Sequence, residues 1–403
     1  MTYRPISKLG QHLSRWWPGP PAISPQITKW LGKKPPKVIL FIGHHKVGSS
    51  SLQDYLSRNA LSLLKAGILY PSVESEGHAR LLAAALGGKD DTRAQPINLR
   101  EAHNALAFQM LSEAGVEAVP SSHRNLPHSS QMFCAMRNQI DVLRPRAVIL
   151  CAEVFANFAA VSPQLIEQIR DFFSGSEVTI LATLRRPDDY LVSWSGQRVK
   201  FGIGGPSLRD SHHLRDFGKT IHIDYAMMLR AWTEVFKDNA KFVIRNYQDV
   251  LKSGGAIDDF KAHSGIEFPK MLQTIPNRNP SLPLAITEIA RRANDALDPV
   301  QAKQLRRYLI KWSKWVSLPV TKEIECFGYD NRVILSSLFS ASNEFLNQFH
   351  PTGAFFSDFE DINRTRLIPE LEAAAIALKT LRPLLLRSRL PSDVREFIAA
   401  LSW

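Results

Sequence analysis

The stretch that most constrains this chain runs from Lys37 to Gln53, KVILFIGHHKVGSSSLQ. Residues 38–42 form a short unbroken apolar run rich in β-branched side chains, which suits a strand buried on both faces of a parallel sheet. From residue 50 to 64 the period changes, and Leu52, Tyr55, Leu56, Ala60, Leu63 and Leu64 fall on one helical face. Gly67 then supplies a stop. Between strand and helix lies a glycine- and hydroxyl-rich turn, Gly43 to Ser51, whose backbone amides would point at the open N-terminus of the helix. Such a turn is a cradle for an anion.

The position of its lysine narrows the kind of anion. Gly43 and Gly48 keep the glycine spacing of a nucleoside-triphosphate loop, but that loop places a lysine directly after the second glycine. Here Ser49 stands there, followed by Ser50 and Ser51, and the lysine is Lys46, on the other side of the turn.

With 403 residues, 44% of them hydrophobic, the chain can bury one large core or two modest ones. No run reaches about 18 uninterrupted apolar residues, so a membrane-spanning protein is excluded, and no secretory leader pattern opens the sequence. Cys134, Cys151 and Cys326 are far apart and odd in number, which points to neither a disulfide framework nor a metal site and fits a reducing cytoplasm. The formal net charge of +12 is uneven: residues 1–37 carry Arg4, Lys8, Arg15, Lys29, Lys33, Lys34 and Lys37 with no acidic residue. Trp16, Trp17 and Trp30 lie among them. A peripheral membrane-surface arm and a plain terminal tail are both open readings of this segment. No nucleic-acid motif accompanies the charge, so RNA or DNA is not the expected partner.

Further along, apolar runs at 147–151, 178–184 and 241–245 alternate with helical patterns at 131–143, 162–173 and 225–236, and a short extended segment follows Gly67. Alternation of this kind predicts right-handed crossovers, and hence an α/β fold with a parallel sheet flanked by helices. Residues 89–130 read as surface elaboration with a helical piece around Glu101 to Ala114, and 202–220, without apolar periodicity, as a lid or substrate-facing loop. From 281 the sequence is helical, either a cap on the same core or a small second domain. The expected organisation is a basic arm at 1–36, an α/β core at 37–280 and a helical extension at 281–403.

A second motif follows the run at 178–184, in TLRRPDDYLVSWS. Arg185 would sit at the carboxyl end of that strand, where ligands bind in open α/β sheets. Pro187 suits a first helical turn and Ser193 lies about two turns in. An arginine and a serine converging there can hold a phosphate by a forked, charge-assisted pair plus a hydroxyl. The alternative gives the phosphate to Arg186, with Arg185 paired to Asp188 or Asp189.

Lys46-x-Gly48-Ser49-Ser50-Ser51 resembles the 5′-phosphosulfate loop of sulfotransferases that use 3′-phosphoadenosine 5′-phosphosulfate (PAPS). Arg185-x-Pro187 followed by Ser193 resembles their 3′-phosphate motif, in the same chain order. The resemblance covers about residues 37–300, with weaker echoes at Tyr225 to Trp232, Arg245 to Tyr247, and Asn279 to Ser281. Val47 and Arg186 depart from the residues usual in those motifs.

The resemblance implies a P-loop-type sheet, PAPS as sulfuryl donor with 3′-phosphoadenosine 5′-phosphate (PAP) as product, and a carbohydrate or lipid-linked acceptor. It implies that Lys46 stabilises the bridging oxygen of the donor, that Gly48, Ser49, Ser50 and Ser51 hold its 5′-phosphate beside His45, and that Arg185 and Ser193 hold its 3′-phosphate. Glu153, ending the strand expected beside the loop strand, is the first candidate for the base that the acceptor needs, and His78 the second; His44 and His45 flank the loop. No metal constellation is present in the sequence. A kinase-like enzyme using ATP, or a non-catalytic binding protein on the same fold, are the competing readings.

Overall fold

Strands form where apolar β-branched runs can be covered from both sides. The computed structural model describes residues 34–87, 95–275, 282–351 and 353–403. In it β1 (Lys37–Phe41), β2 (Ile68–Leu69), β3 (Ala147–Cys151), β4 (Val178–Leu184) and β5 (Ala240–Asn246) make one sheet in the order β2-β3-β1-β4-β5. All pairings are parallel, with Phe41 opposite Cys151 and Leu184 opposite Asn246. The chain leaves β1 toward one side of the sheet and later returns to its other side. β1 is therefore flanked by β3 and β4, and the crevice at its carboxyl end is where an open α/β sheet receives a ligand.

Alternate side chains of β1 feed two cores. Val38 and Leu40 join a large cluster with Leu150, Ile180, Trp232 and the C-terminal helices, whereas Ile39 and Phe41 pack with Leu52, Tyr55 and Leu56 of α1 (Ser49–Arg58) and with Phe260. The helices Thr287–Ala296, Pro299–Ser313, Tyr329–Asn347, Glu370–Leu386 and Ser392–Ala400 share the first cluster with the sheet. No helix among the described residues is long and apolar enough to cross a membrane.

Four expectations need correction. Periodicity predicts one helix over 50–64, but α1 stops at Arg58 and a separate helix runs Ala60–Lys65. Asn59 causes the break: its amide donates to the Tyr55 and Gln273 carbonyls at 2.9 and 3.0 Å, and its oxygen accepts from the Gln273 N–H at 2.7 Å.

Residues 89–130 are not mere surface elaboration. The helix Ala102–Glu113 buries Ala102, Ala105, Leu106, Ala107, Met110 and Leu111. Its His103 accepts from the Cys151 N–H at 3.1 Å and bonds the Pro71 carbonyl at 3.1 Å, which pins the helix to the end of β3.

The supposed loop at 202–220 contains a helix, Ser211–Phe217, capped by Asp210 on the His212 and His213 amides. The C-terminal part also holds a two-stranded parallel pair, Ile324–Glu325 with Ile368–Pro369. The basic arm up to residue 33, together with Asn279 and Ser281, lies outside the described residues.

Candidate functional site

β1 ends at Phe41 and the chain turns sharply into α1. Gly43, at φ 109°, comes so close to β3 that a Cβ there would sit 3.0 Å from the Glu153 carbonyl oxygen, so the glycine lets the loop lie against Glu153. Gly48, at φ 89°, caps α1 in the left-handed region, and a Cβ on it would meet Ala256 at 2.9 Å. Lys46 also adopts a positive φ, 63°. The amides of Ser51 and Leu52 return to the Gly48 carbonyl, whereas those of residues 46–50 have no acceptor among the described residues. Unpaired amides at a helix N-terminus form an anion-binding concavity.

Glu153 opens a short 3₁₀ turn, Glu153–Asn157, directly beyond β3 and beside the loop. Its Oε2 accepts from the Ser49 hydroxyl, and Oε1 lies 3.8 Å from His45 Nδ1. His45 Nε2 donates to Asn157 Oδ1 at 3.3 Å, and its Nδ1 faces Glu153. Below, Gln53 donates to the Cys151 carbonyl and Asn104 accepts from the Val154 N–H, so α1 and the core helix both brace the end of β3.

Lys46 has no ion pair among the described residues. Burial holds its ammonium below the usual lysine range; Glu153 works against this effect, and Arg185 and Lys200 reinforce it. The ammonium therefore stands among other cations with one carboxylate to offset them. An anionic ligand would relieve that excess.

Arg185 and Arg186 leave β4 in different directions. Arg186 is buried, bonds Asp188 at 2.7 and 3.1 Å and reaches the Asp358 carbonyl at 2.9 Å, so it belongs to the fold. Arg185 has no ion pair among the described residues; its guanidinium lies 5.2 Å from the Tyr247 ring, and its buried Nε has no partner. The Tyr225 hydroxyl bonds the Arg185 carbonyl at 2.8 Å and fixes its backbone. Arg245 pairs with Asp259 at 2.9 Å, a structural contact.

The helix Pro187–Lys200 carries the half-buried Ser193, next to Trp194 and within one turn of Tyr190, the two residues that turn toward the loop. Ser51 is half-buried and Ser50 exposed at the first turn of α1. His78 is not brought to this group: it lies in the first turn of Ser75–Ala85, which packs against Ala60–Lys65, and it makes no hydrogen bond or ion pair with the loop.

An aromatic cluster completes the rim, and residue spacing along the sequence does not reveal it. His44, buried, bonds the Ile221 carbonyl at 3.0 Å and lies 4.4 Å from the Tyr190 ring. Trp194 lies 5.1 Å from His45 and 4.9 Å from His222, whose Nδ1 meets the Tyr190 hydroxyl at 2.7 Å. Burial, together with His45 and Arg198, lowers His222 to about 3, so it is neutral at physiological pH.

Comparison with known proteins assigns no family. No family model matches the chain, and no solved structure does. The chain is similar to an uncharacterized protein of Archaeoglobus fulgidus, 26% identical over 211 residues, or 49% of this chain and 55% of that protein. It thus spans about half the length of the curated relative it matches.

Proposed function

We propose that this protein is a sulfotransferase on a P-loop-type fold, moving the sulfuryl group of PAPS to a hydroxyl or amine of an acceptor. The observation that carries the reading is the pair of cations without an ion pair among the described residues, Lys46 in a loop with unpaired amides at the carboxyl end of β1 and Arg185 at the end of the neighbouring β4. A donor with phosphates at two positions needs two anion sites. The amides of residues 46–50, that of Ser49 among them, with the hydroxyls of Ser50 and Ser51 suit the 5′-phosphate, and Arg185 with Ser193 suits the 3′-phosphate.

PAPS supplies an activated sulfuryl group whose departure leaves negative charge on a phosphate oxygen. Lys46, already short of counter-charge, is the side chain suited to stabilise that charge. Glu153 is suited to take the acceptor proton: Ser49 occupies Oε2, while Oε1 keeps lone pairs toward His45 and the cleft. Ser49 stands where a triphosphate loop has its lysine, and its hydroxyl is engaged by Glu153, which weighs against a kinase.

The test is transfer of labelled sulfuryl from PAPS to a panel of sugar and lipid acceptors. Wild-type turnover is expected, and Glu153→Gln is expected to lower kcat by about 10²-fold or more with KM for PAPS little changed. Full turnover in Glu153→Gln would remove it as the base; absence of transfer to every acceptor, with PAP bound, would favour a binding protein.

A further inference from the structure

Tyr190, Trp194 and Arg198 recur every four residues on the helix Pro187–Lys200, which puts them along one face with about 6 Å between successive members. The first two define where that face looks: the Tyr190 hydroxyl bonds His222, and the Trp194 ring lies 4.9 Å from His222 and 5.1 Å from His45, which are 6.4 Å from each other. Arg198 continues the face one turn beyond Trp194, away from the loop. Opposite it, His213 packs 4.4 Å from Phe217, which in turn lies 5.5 Å from His222. Arg198 is near enough to both histidines to disfavour their protonated forms.

Arg198 has no ion pair among the described residues. The acidic groups facing this part of the cleft from the neighbouring helix are Asp210 and Asp216; Asp210 caps its own helix, and Asp216 lies 3.7 Å from Lys219. The donor's phosphates are already matched by Lys46, Arg185 and the loop amides. The Arg198 guanidinium stands on the far side of Trp194 from Arg185, one helical turn along the same face.

We propose that the acceptor is a sugar bearing a carboxylate, with its ring laid on Trp194 and its carboxylate held by Arg198. The inference rests on the sulfuryl-transfer reading above. An indole face suits the apolar C–H face of a sugar ring, and a planar fork of N–H donors suits a carboxylate, which it can bind by two parallel bonds. One helical turn separates platform from fork, a span comparable to the width of a pyranose. The reacting hydroxyl would then project toward Glu153 and His45, beside which Trp194 stands.

The test uses full-length protein saturated with PAP and titrated separately with methyl β-glucuronide and methyl β-glucoside. The glucuronide is expected to bind about ten-fold more tightly or better. Arg198→Ala should bring the two glycosides within about two-fold of each other while PAP affinity and melting temperature stay at the wild-type values, and Arg198→Lys should recover part of the preference. Trp194→Phe should weaken both glycosides alike. Equal or undetectable binding of the two by wild type, or a preference that survives in Arg198→Ala, overturns the proposal. So does a loss of PAP affinity in Arg198→Ala, which would give this arginine to the donor. Failure of wild type to bind PAP at all would instead overturn the sulfuryl-transfer reading beneath it.

Discussion

Arg185 and Arg186 are neighbours in sequence and end in opposite environments. Arg186 turns into the protein, where Asp188 and Asp358 neutralise it and the C-terminal helices close over it. Asp188 is also within 3.4 Å of Arg332, which pairs with Glu325 at 2.8 Å, so the inner side of the rim is a closed network of opposite charges. Arg185 turns toward the loop, rests near Tyr247 and has no ion pair among the described residues; Lys46, across the same crevice, is in the same condition. The contrast separates charges that hold the fold from charges that await a ligand. A buried charge paired at several points is there for structure, and one brought to the mouth of a parallel sheet without a counter-charge is a binding group.

The sharpest way to break this comparison is to remove the structural arginine. Arg186→Ala leaves Asp188 buried without its nearest partner and is expected to cost about 3–5 kcal/mol, read from urea denaturation, while PAP affinity per folded molecule is kept. A stable Arg186→Ala protein that no longer binds PAP would reverse the two roles. Lys46→Ala should do the opposite: unfolding unchanged or slightly improved, and turnover down by about 10²–10³-fold because charge on the leaving oxygen goes unanswered. Turnover at the wild-type rate in that variant would remove Lys46 from the site.

Much of the sheet is legible in the chain. The runs at 147–151 and 178–184 coincide with β3 and β4, and the helix expected at 225–236 is Tyr225–Phe236, with Trp232 fully buried. These segments are covered on both faces or have one clear apolar stripe, so their periodicity survives packing. The helix expected around 101–114 is present as Ala102–Glu113, but burial on most of its sides leaves no clear apolar stripe, so its sequence does not show that it belongs to the core. The break at Asn59 depends on a side-chain contact with residue 273 that no local pattern encodes.

The site divides in the same way. Lys46, Ser49 and Arg185 announce themselves by position in short motifs, because a strand-to-helix turn fixes where such residues point. Tyr190, Trp194 and His222 come together only through the crossover between β4 and β5, and the Ser49–Glu153 contact only through the pairing of β1 with β3. His78 shows the cost of choosing by residue type: nothing in its spacing tied it to the loop, and it lies on a helix that packs elsewhere.

A smaller effect concerns pH. Burial holds His103 at about 3 in the folded protein, against about 6.5 when exposed. Between those values the unfolded chain binds the extra proton, so this residue's contribution to stability is present in full above about pH 6.5 and is lost progressively as pH falls toward 3. Denaturant midpoints measured from pH 7 to 4 should therefore decline, and less steeply in His103→Gln. A wild-type midpoint that stays level across that range would show that His103 is not held neutral by the fold.

The most direct measurement is calorimetric titration, in magnesium-free buffer, of wild type and Arg185→Ala with PAP and, in parallel, with ADP. The account predicts micromolar binding of PAP by wild type, about ten-fold or more weaker in Arg185→Ala, with little affinity for ADP in either protein. Preference for ADP, or PAP binding that ignores the loss of Arg185, would contradict it.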